Sequence, residues 1–74
     1  MKCLSRVLHI SSSRKLILRS NILAKLGTTI VDDKLNEVGN VFDIFGPVNS
    51  FYISIKPKSA DYQKYVGKLL YLNK

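Results

Sequence analysis

The feature that most constrains the fold is a series of six short apolar segments, each ended by residues that favour turns. Apolar residues that alternate with polar ones, and that are rich in β-branched and aromatic side chains, are typical of strands with one buried face. We therefore predict strands over residues 2–10, 15–20, 28–31, 36–45, 51–56 and 67–72, and a loop or one helical turn over residues 21–27.

The breaks between these segments carry clear turn chemistry. The polar residues 11–14 are expected to join the first two strands as a hairpin. Gly46 and Pro47 end the fourth strand, because proline cannot donate to a strand ladder and favours the second position of a tight turn. Pro57 ends the fifth strand, and residues 57–66 form a polar connection to the last one.

The number and length of the strands favour a closed sheet. Seventy-four residues make one domain at most. An open sheet of six short strands would expose unpaired edges, whereas a barrel has none and buries one inner face as its core. We predict an all-β fold, a small six-stranded β-barrel, as a single domain over residues 1–74. A five-stranded OB-like barrel is the alternative.

The sequence offers little for catalysis or metal binding. Cys3 is the only cysteine, so an internal disulfide is impossible, and with His9 it supplies two of the four ligands that a structural zinc needs. The two residues share a strand face but lie about 20 Å apart along it, too far for a nucleophile and its base. We predict no enzyme activity and no cofactor, with Cys3 as a buried thiol and His9 partly exposed.

The charge is strongly positive and uneven. The formal net charge is +7, and residues 1–31 hold six basic side chains and no acid. Such a basic half suggests a position near RNA or another polyanion, with a merely solvated basic surface as the alternative. Four tyrosines near lysines are candidates for stacking on RNA bases, namely Tyr52, Tyr62, Tyr65 and Tyr71.

The expected location is cytoplasmic. No apolar run approaches the roughly 20 residues that span a bilayer. A lone thiol fits a reducing compartment. The acid-free start shares its composition with transit peptides, but residues 1–10 alternate with the period of a strand, which argues against that interpretation.

The fourth strand has apolar residues on both faces, which raises the question of what covers the second face. Strict alternation places Val38, Phe42 and Ile44 in the core, together with Phe51, Ile53 and Ile55 of the next strand. The outer surface would then carry Val41, Asp43, Phe45, Val48 and Tyr52 around Gly39, Gly46 and Pro47. Apolar aromatic patches with few charges are typical of interface centres. Either a partner protein or the loop 57–66 is expected to cover this patch.

The same stretch carries a family resemblance. The segment V-G-N-V-F-D-I-F-G-P-V (residues 38–48), followed by Tyr52, I-K-P (residues 55–57) and V-G-K-x-L-Y (residues 66–71), resembles the GAR-type core protein of H/ACA ribonucleoproteins. The chain lacks the glycine-arginine-rich tails of eukaryotic members, so the resemblance is to the archaeal type.

This resemblance implies a function and a set of contacts. The protein would fold as a six-stranded barrel. It would bind the catalytic domain of the particle's pseudouridine synthase and assist substrate loading and product release during rRNA modification. Guide RNA and rRNA would be contacted indirectly, and neither DNA nor a membrane is involved. The alternative is a free-standing RNA-binding barrel of the translation machinery. The implied partner-binding positions are Gly39, Val41, Asp43, Phe45, Gly46, Pro47, Val48 and Tyr52.

Overall fold

Six strands and one short helical turn make up the computed structural model, which describes residues 2–22, 24–47 and 49–73. A 3₁₀ turn over Tyr62–Tyr65 lies between the fifth and sixth strands. The strands are β1 (Lys2–Ile10), β2 (Leu16–Ser20), β3 (Thr29–Val31), β4 (Glu37–Phe45), β5 (Phe51–Pro57) and β6 (Leu69–Leu72).

The strands close into an antiparallel barrel in the order β1-β2-β5-β4-β3-β6. Closure pairs β6 with both β1 and β3, so the sheet has no free edge to protect. The predicted all-β fold and six-stranded barrel are therefore confirmed, and the five-stranded alternative is wrong. In the part of the chain that the structure describes, no helix is long and apolar enough to cross a membrane.

The core is built from the inward side chains of every strand. Its most deeply buried members are aliphatic, and their close packing is the main source of stability in so small a barrel. They are Val7, Leu16, Leu18, Ile30, Val38, Ile53, Ile55 and Leu70. On β5 the predicted inward residues Ile53 and Ile55 are confirmed as fully buried, and Phe51 packs against the core at partial exposure.

The connection between β5 and β6 closes the barrel instead of covering the aromatic patch. Tyr65 of the 3₁₀ turn is buried in the core, and Tyr62 packs against it. The Tyr65 carbonyl accepts from the Lys68 N–H at 2.9 Å, and the Lys58 N–H donates to the Val38 carbonyl at 2.8 Å, at the opposite end of β4 from Phe45. The loop is thus not what covers the outer face near Phe45.

A bulge in β4 overturns part of the predicted alternation. Val41 pairs with Ile55, but Asp43 pairs with Ser54, so β4 has one residue more than β5 over this interval. The extra residue is Phe42. As a result Val41 is buried in the core at 3% exposure, whereas Phe42 is 55% exposed. Strict alternation predicts the reverse placement of these two side chains and is wrong here.

Irregular register in β1 has the same effect. The register shifts between Cys3 and Ser5 against β6, and between Val7 and His9 against β2. Leu4 and Val7 therefore both enter the core, and Leu8, which strict alternation from Leu4 predicts on the same face, is half exposed. Cys3 is exposed, not buried as predicted.

Candidate partner-binding surface

Three aromatic side chains lie on the outside of β4 and β5. Phe45 pairs with Tyr52 in the strand register. Their rings stack with centroids 5.6 Å apart and an interplanar angle of 22°. Phe42 and Phe45 are 55% and 46% exposed. Stacking fixes the two rings against each other, so the pair presents a preformed apolar face to solvent.

Basic side chains from β2 and the residue before it lie over these rings. The Lys15 Nζ is 4.3 Å from the centroid of the Phe42 ring. The Arg19 Cζ is 6.0 Å from the centroid of the Tyr52 ring, and the Arg19 Nε donates to the Ser50 Oγ at 2.5 Å. Cation–π contacts of this kind contribute about 0.5–1 kcal/mol at exposed sites and hold the cations beside the aromatic rings.

The outward positions of the three neighbouring strands together form one surface, which we call the outer surface. It is defined by Lys15, Ile17, Arg19, Phe42, Asp43, Phe45, Tyr52, Ser54 and Lys56. Ile17 pairs with Ser54, and Ser54 pairs with Asp43. Ile17 and Ser54 are each only 6% exposed, although Ile17 lies outside the core cluster. The outer surface therefore has a shielded floor beneath its aromatic and charged side chains.

Asp43 supplies the negative charge within this surface. Its side chain is exposed, and Oδ1 accepts from the Ile44 N–H at 2.9 Å. Against this one carboxylate stand the three basic members, Lys15, Arg19 and Lys56. The outer surface consequently combines exposed aromatic rings with a net positive charge, and Ile17, Ser54 and Asp43 form its middle row.

Gly39 lies within the wall of the barrel, beneath the outer surface. The sequence predicts it on the outer surface, where it would let another backbone approach, but it is buried and pairs with Pro57 of β5. A Cβ at this position would overlap the carbonyl oxygen of Lys56 and lie 2.9 Å from the carbonyl carbon. The backbone that approaches Gly39 is therefore the chain's own.

Gly46 and Pro47 shape the end of the surface. Gly46 has a φ of +105°, a backbone conformation that residues other than glycine rarely adopt. A Cβ there would also lie 3.3 Å from the Tyr52 Cδ2. Gly46 thus allows the chain to turn directly beside the stacked pair, and Pro47 follows it at the exposed surface.

The structure brings together some of the predicted positions but not all of them. Asp43, Phe45, Gly46, Pro47 and Tyr52 lie at one surface, whereas Val41 and Gly39 lie beneath it. Val48 falls outside the described residues. Sequence reasoning missed Phe42, Lys15 and Arg19. The alternation of Lys15, Ile17 and Arg19 in the sequence indicates that these residues share the outward face of β2 and the residue before it. The sequence does not indicate that β2 pairs with β5, which is what brings them to this surface.

A concave region lies on the opposite wall of the barrel. It encloses about 630 Å³ between β1, the β3–β4 turn, the 3₁₀ turn and β6. We call it the polar cleft. Its charged lining consists of Arg6, Asp32, Asp33, Lys34, Lys64 and Lys68. Lys64 is already paired with Asp61, with Nζ and Oδ2 3.1 Å apart, which raises the pKa of Lys64.

Hydrogen bonds within the chain fix the carboxylates of Asp32 and Asp61 near the polar cleft. Partial burial acts to raise the pKa of Asp32, but hydrogen bonds from Asn36 and Lys34 outweigh it and leave that pKa below its usual value. Hydrogen bonds from Ser59 and Lys64 lower the pKa of Asp61. Among residues 2–22, 24–47 and 49–73, no group of three or more His, Cys, Asp and Glu side chains is arranged to hold a metal ion.

Comparison with known proteins gives two matches over almost the whole chain. A family model described as the Gar1/Naf1 RNA binding region matches residues 2–74. A protein of Methanothermobacter thermautotrophicus, described as an uncharacterized protein, is 37% identical over 76 residues, which cover 97% of this chain and 83% of that protein.

Proposed function

The chain belongs to the Gar1/Naf1 RNA-binding-region family, and on that premise we propose that it is a noncatalytic accessory subunit of an H/ACA guide-RNA pseudouridylation particle. Membership confirms the resemblance of residues 38–48 and assigns the chain an RNA-binding role related to H/ACA ribonucleoproteins. The finer role, docking on the pseudouridine synthase, is our inference.

The single observation that supports docking is the set of exposed aromatic side chains on the outer surface. Monomeric proteins rarely leave Phe and Tyr side chains contiguous and exposed unless the patch binds something. Phe42, Phe45 and Tyr52 provide rigid, apolar anchors of the kind that dominate interface energies. The closed barrel beneath them has no loose edge, so little conformational entropy is lost when a partner binds.

The charges around the aromatic rings indicate what kind of surface the partner presents. Lys15 and Arg19 flank the rings, so a complementary surface presents apolar side chains to the rings and carboxylates to these two cations. We assign this complementary surface to the catalytic domain of the pseudouridine synthase. From that position the barrel would assist substrate loading and product release, while guide RNA and rRNA are held by other parts of the particle.

The test is co-elution of the purified protein with its own pseudouridine synthase in the absence of RNA. Wild-type protein is expected to elute as a complex. Phe45→Asp is expected to elute alone, because an aspartate in place of a buried aromatic anchor is an unpaired charge in the interface. Leu35→Asp is the matched control, since Leu35 is 60% exposed in the β3–β4 turn and lies outside the outer surface.

A wild-type protein that never co-elutes with the synthase would refute the proposal. So would a Leu35→Asp variant that loses the complex as completely as Phe45→Asp, because the loss would then not depend on the outer surface.

A further inference from the structure

We propose that the outer surface also binds single-stranded RNA in the free protein, so that RNA and the synthase compete for it. This inference goes beyond docking and concerns the RNA-binding role that family membership assigns without giving it a place. Two surfaces of the barrel could accept a nucleic acid, the outer surface and the polar cleft, and they differ in charge and in accessible rings.

Single-stranded RNA is bound without sequence preference where aromatic rings, on which bases stack, are interleaved with cations that contact phosphates. The outer surface has both. Its Phe45 and Tyr52 rings are stacked and reachable, and Phe42 is exposed on the same strand as Phe45. Lys15 and Arg19 lie beside the rings, within reach of a phosphate that links stacked bases.

The charge balance favours the outer surface over the polar cleft. The outer surface holds Lys15, Arg19 and Lys56 against Asp43, a surplus of two positive charges. The cleft holds four basic side chains against Asp32 and Asp33, but Asp61 already neutralises Lys64. That reduces the surplus of the cleft to one.

The aromatic side chains favour the same choice. The cleft is lined by Tyr65 and Tyr71, but Tyr65 is buried in the core and cannot offer a ring face to a base. Arg6 in the cleft donates from Nη1 to the Gly67 carbonyl, so part of its hydrogen-bonding capacity is used within the chain. With Lys64 set aside, each surface keeps three basic side chains, and Arg19 on the outer surface likewise donates a hydrogen bond to Ser50. The cleft differs from the outer surface in its second carboxylate and its fewer accessible rings.

The two surfaces lie on opposite walls, which makes them separable by experiment. In the closed order β1-β2-β5-β4-β3-β6, β6 is three strands away from β5 in either direction. The cleft is centred on β6, and the outer surface is centred on β5. Substitutions at one wall do not touch the other.

The experiment is a fluorescence-anisotropy titration of free protein with a labelled oligouridylate of about ten nucleotides at low salt. Two double variants remove the same total charge from opposite walls: Lys15→Gln with Arg19→Gln, and Lys34→Gln with Lys68→Gln. The first is expected to weaken RNA binding by at least about tenfold and to flatten its salt dependence. The second is expected to bind within about twofold of wild type.

Two further measurements sharpen the assignment. Phe45→Leu keeps the patch apolar but removes a stacking ring, so it is expected to weaken RNA binding several-fold while the salt dependence stays as in wild type. Added synthase is expected to displace the labelled RNA from wild-type protein. Because the anisotropy titration uses the free barrel, its result is independent of whether the synthase docks.

Four results would overturn the inference. One is no RNA binding at low salt. Another is loss of binding in the cleft variant but not in the outer-surface variant. The third is a ternary complex in which RNA stays bound after the synthase has docked. Equal loss in both double variants would likewise refute it, since binding would then reflect overall charge only.

Discussion

Val41 and Phe42 are neighbours in the chain, yet Val41 lies in the barrel core and Phe42 lies on the outer surface. Adjacent strand residues normally point to opposite faces. The bulge at Phe42 determines that Val41 is the one that faces inward. It leaves Phe42 and Asp43 both exposed. Uninterrupted alternation counted back from Ile44 would instead put Phe42 in the core and Val41 outside.

This relationship predicts opposite results for two neighbouring substitutions. Val41→Asp is expected to unfold the free protein, because a carboxylate among Val38, Ile55 and the other core residues has no partner. Phe42→Asp is expected to leave the free energy of unfolding within about 1 kcal/mol of the wild-type value. Circular dichroism melting curves of the two variants measure the difference. Greater destabilisation by Phe42→Asp would place the bulge elsewhere.

Gly39 predicts a large effect from a single methyl group. Gly39→Ala forces a Cβ onto the Lys56 carbonyl, and the strand pair must separate to relieve the overlap. We expect a loss of more than about 3 kcal/mol, the upper range for overpacked sites. Gly27→Ala is the control, because Gly27 has a φ of +85° but no atom within 4 Å of where its Cβ would lie, so only about 1–2 kcal/mol of backbone strain applies. Similar melting temperatures for both variants would contradict the close approach.

Asp32 predicts a contribution to stability that depends on pH. Its pKa is lower in the folded chain than in the unfolded one, so the contribution is fully present above the unfolded value of about 3.9. The contribution is lost as the pH falls through the folded pKa. Asp32→Asn is expected to lower stability near neutral pH and to make the acid side of the stability curve shallower. Unfolding by urea at several pH values measures this, and parallel curves for the two proteins would be the contrary result.

The positive charges of Lys15 and Arg19 lead us to expect that the rate of association with the synthase depends on ionic strength. If carboxylates of the synthase face them, Lys15→Gln with Arg19→Gln slows association at low salt, because rim charges act mainly on the rate of encounter. The dissociation rate is expected to change less. Stopped-flow or surface-based kinetics at two salt concentrations test this, with Lys34→Gln and Lys68→Gln as the control. An equal effect from the control would show that only the net charge matters.

Much of the fold could be predicted from the sequence, and the errors share one cause. Turn residues and alternation located all six strands, and β5 alternates as predicted because its pairings with β2 and β4 keep Ile53 and Ile55 inside. In β1 and β4 an extra residue reverses the alternation part way along. A bulge without glycine leaves no local signal, so strict alternation puts Leu8, Val41 and Phe42 on the wrong faces.

The candidate surface was only partly predictable for a related reason. Phe45, Tyr52 and Gly46 are close in sequence and are joined by one turn, so their neighbourhood could be predicted. Lys15 and Arg19 reach the same surface because β2 pairs with β5, a contact between distant parts of the chain. No periodicity in the sequence reports which strands become neighbours.

The most direct measurement of the central claim is a calorimetric titration of the pseudouridine synthase with wild-type, Phe45→Asp and Leu35→Asp protein, without RNA. An unpaired carboxylate in the interface costs several kcal/mol, so we predict that Phe45→Asp weakens binding by at least about 100-fold, or about 2.7 kcal/mol. Leu35→Asp is predicted to bind like wild type. Equal affinity of Phe45→Asp and wild type, with both folded, would contradict docking through the outer surface.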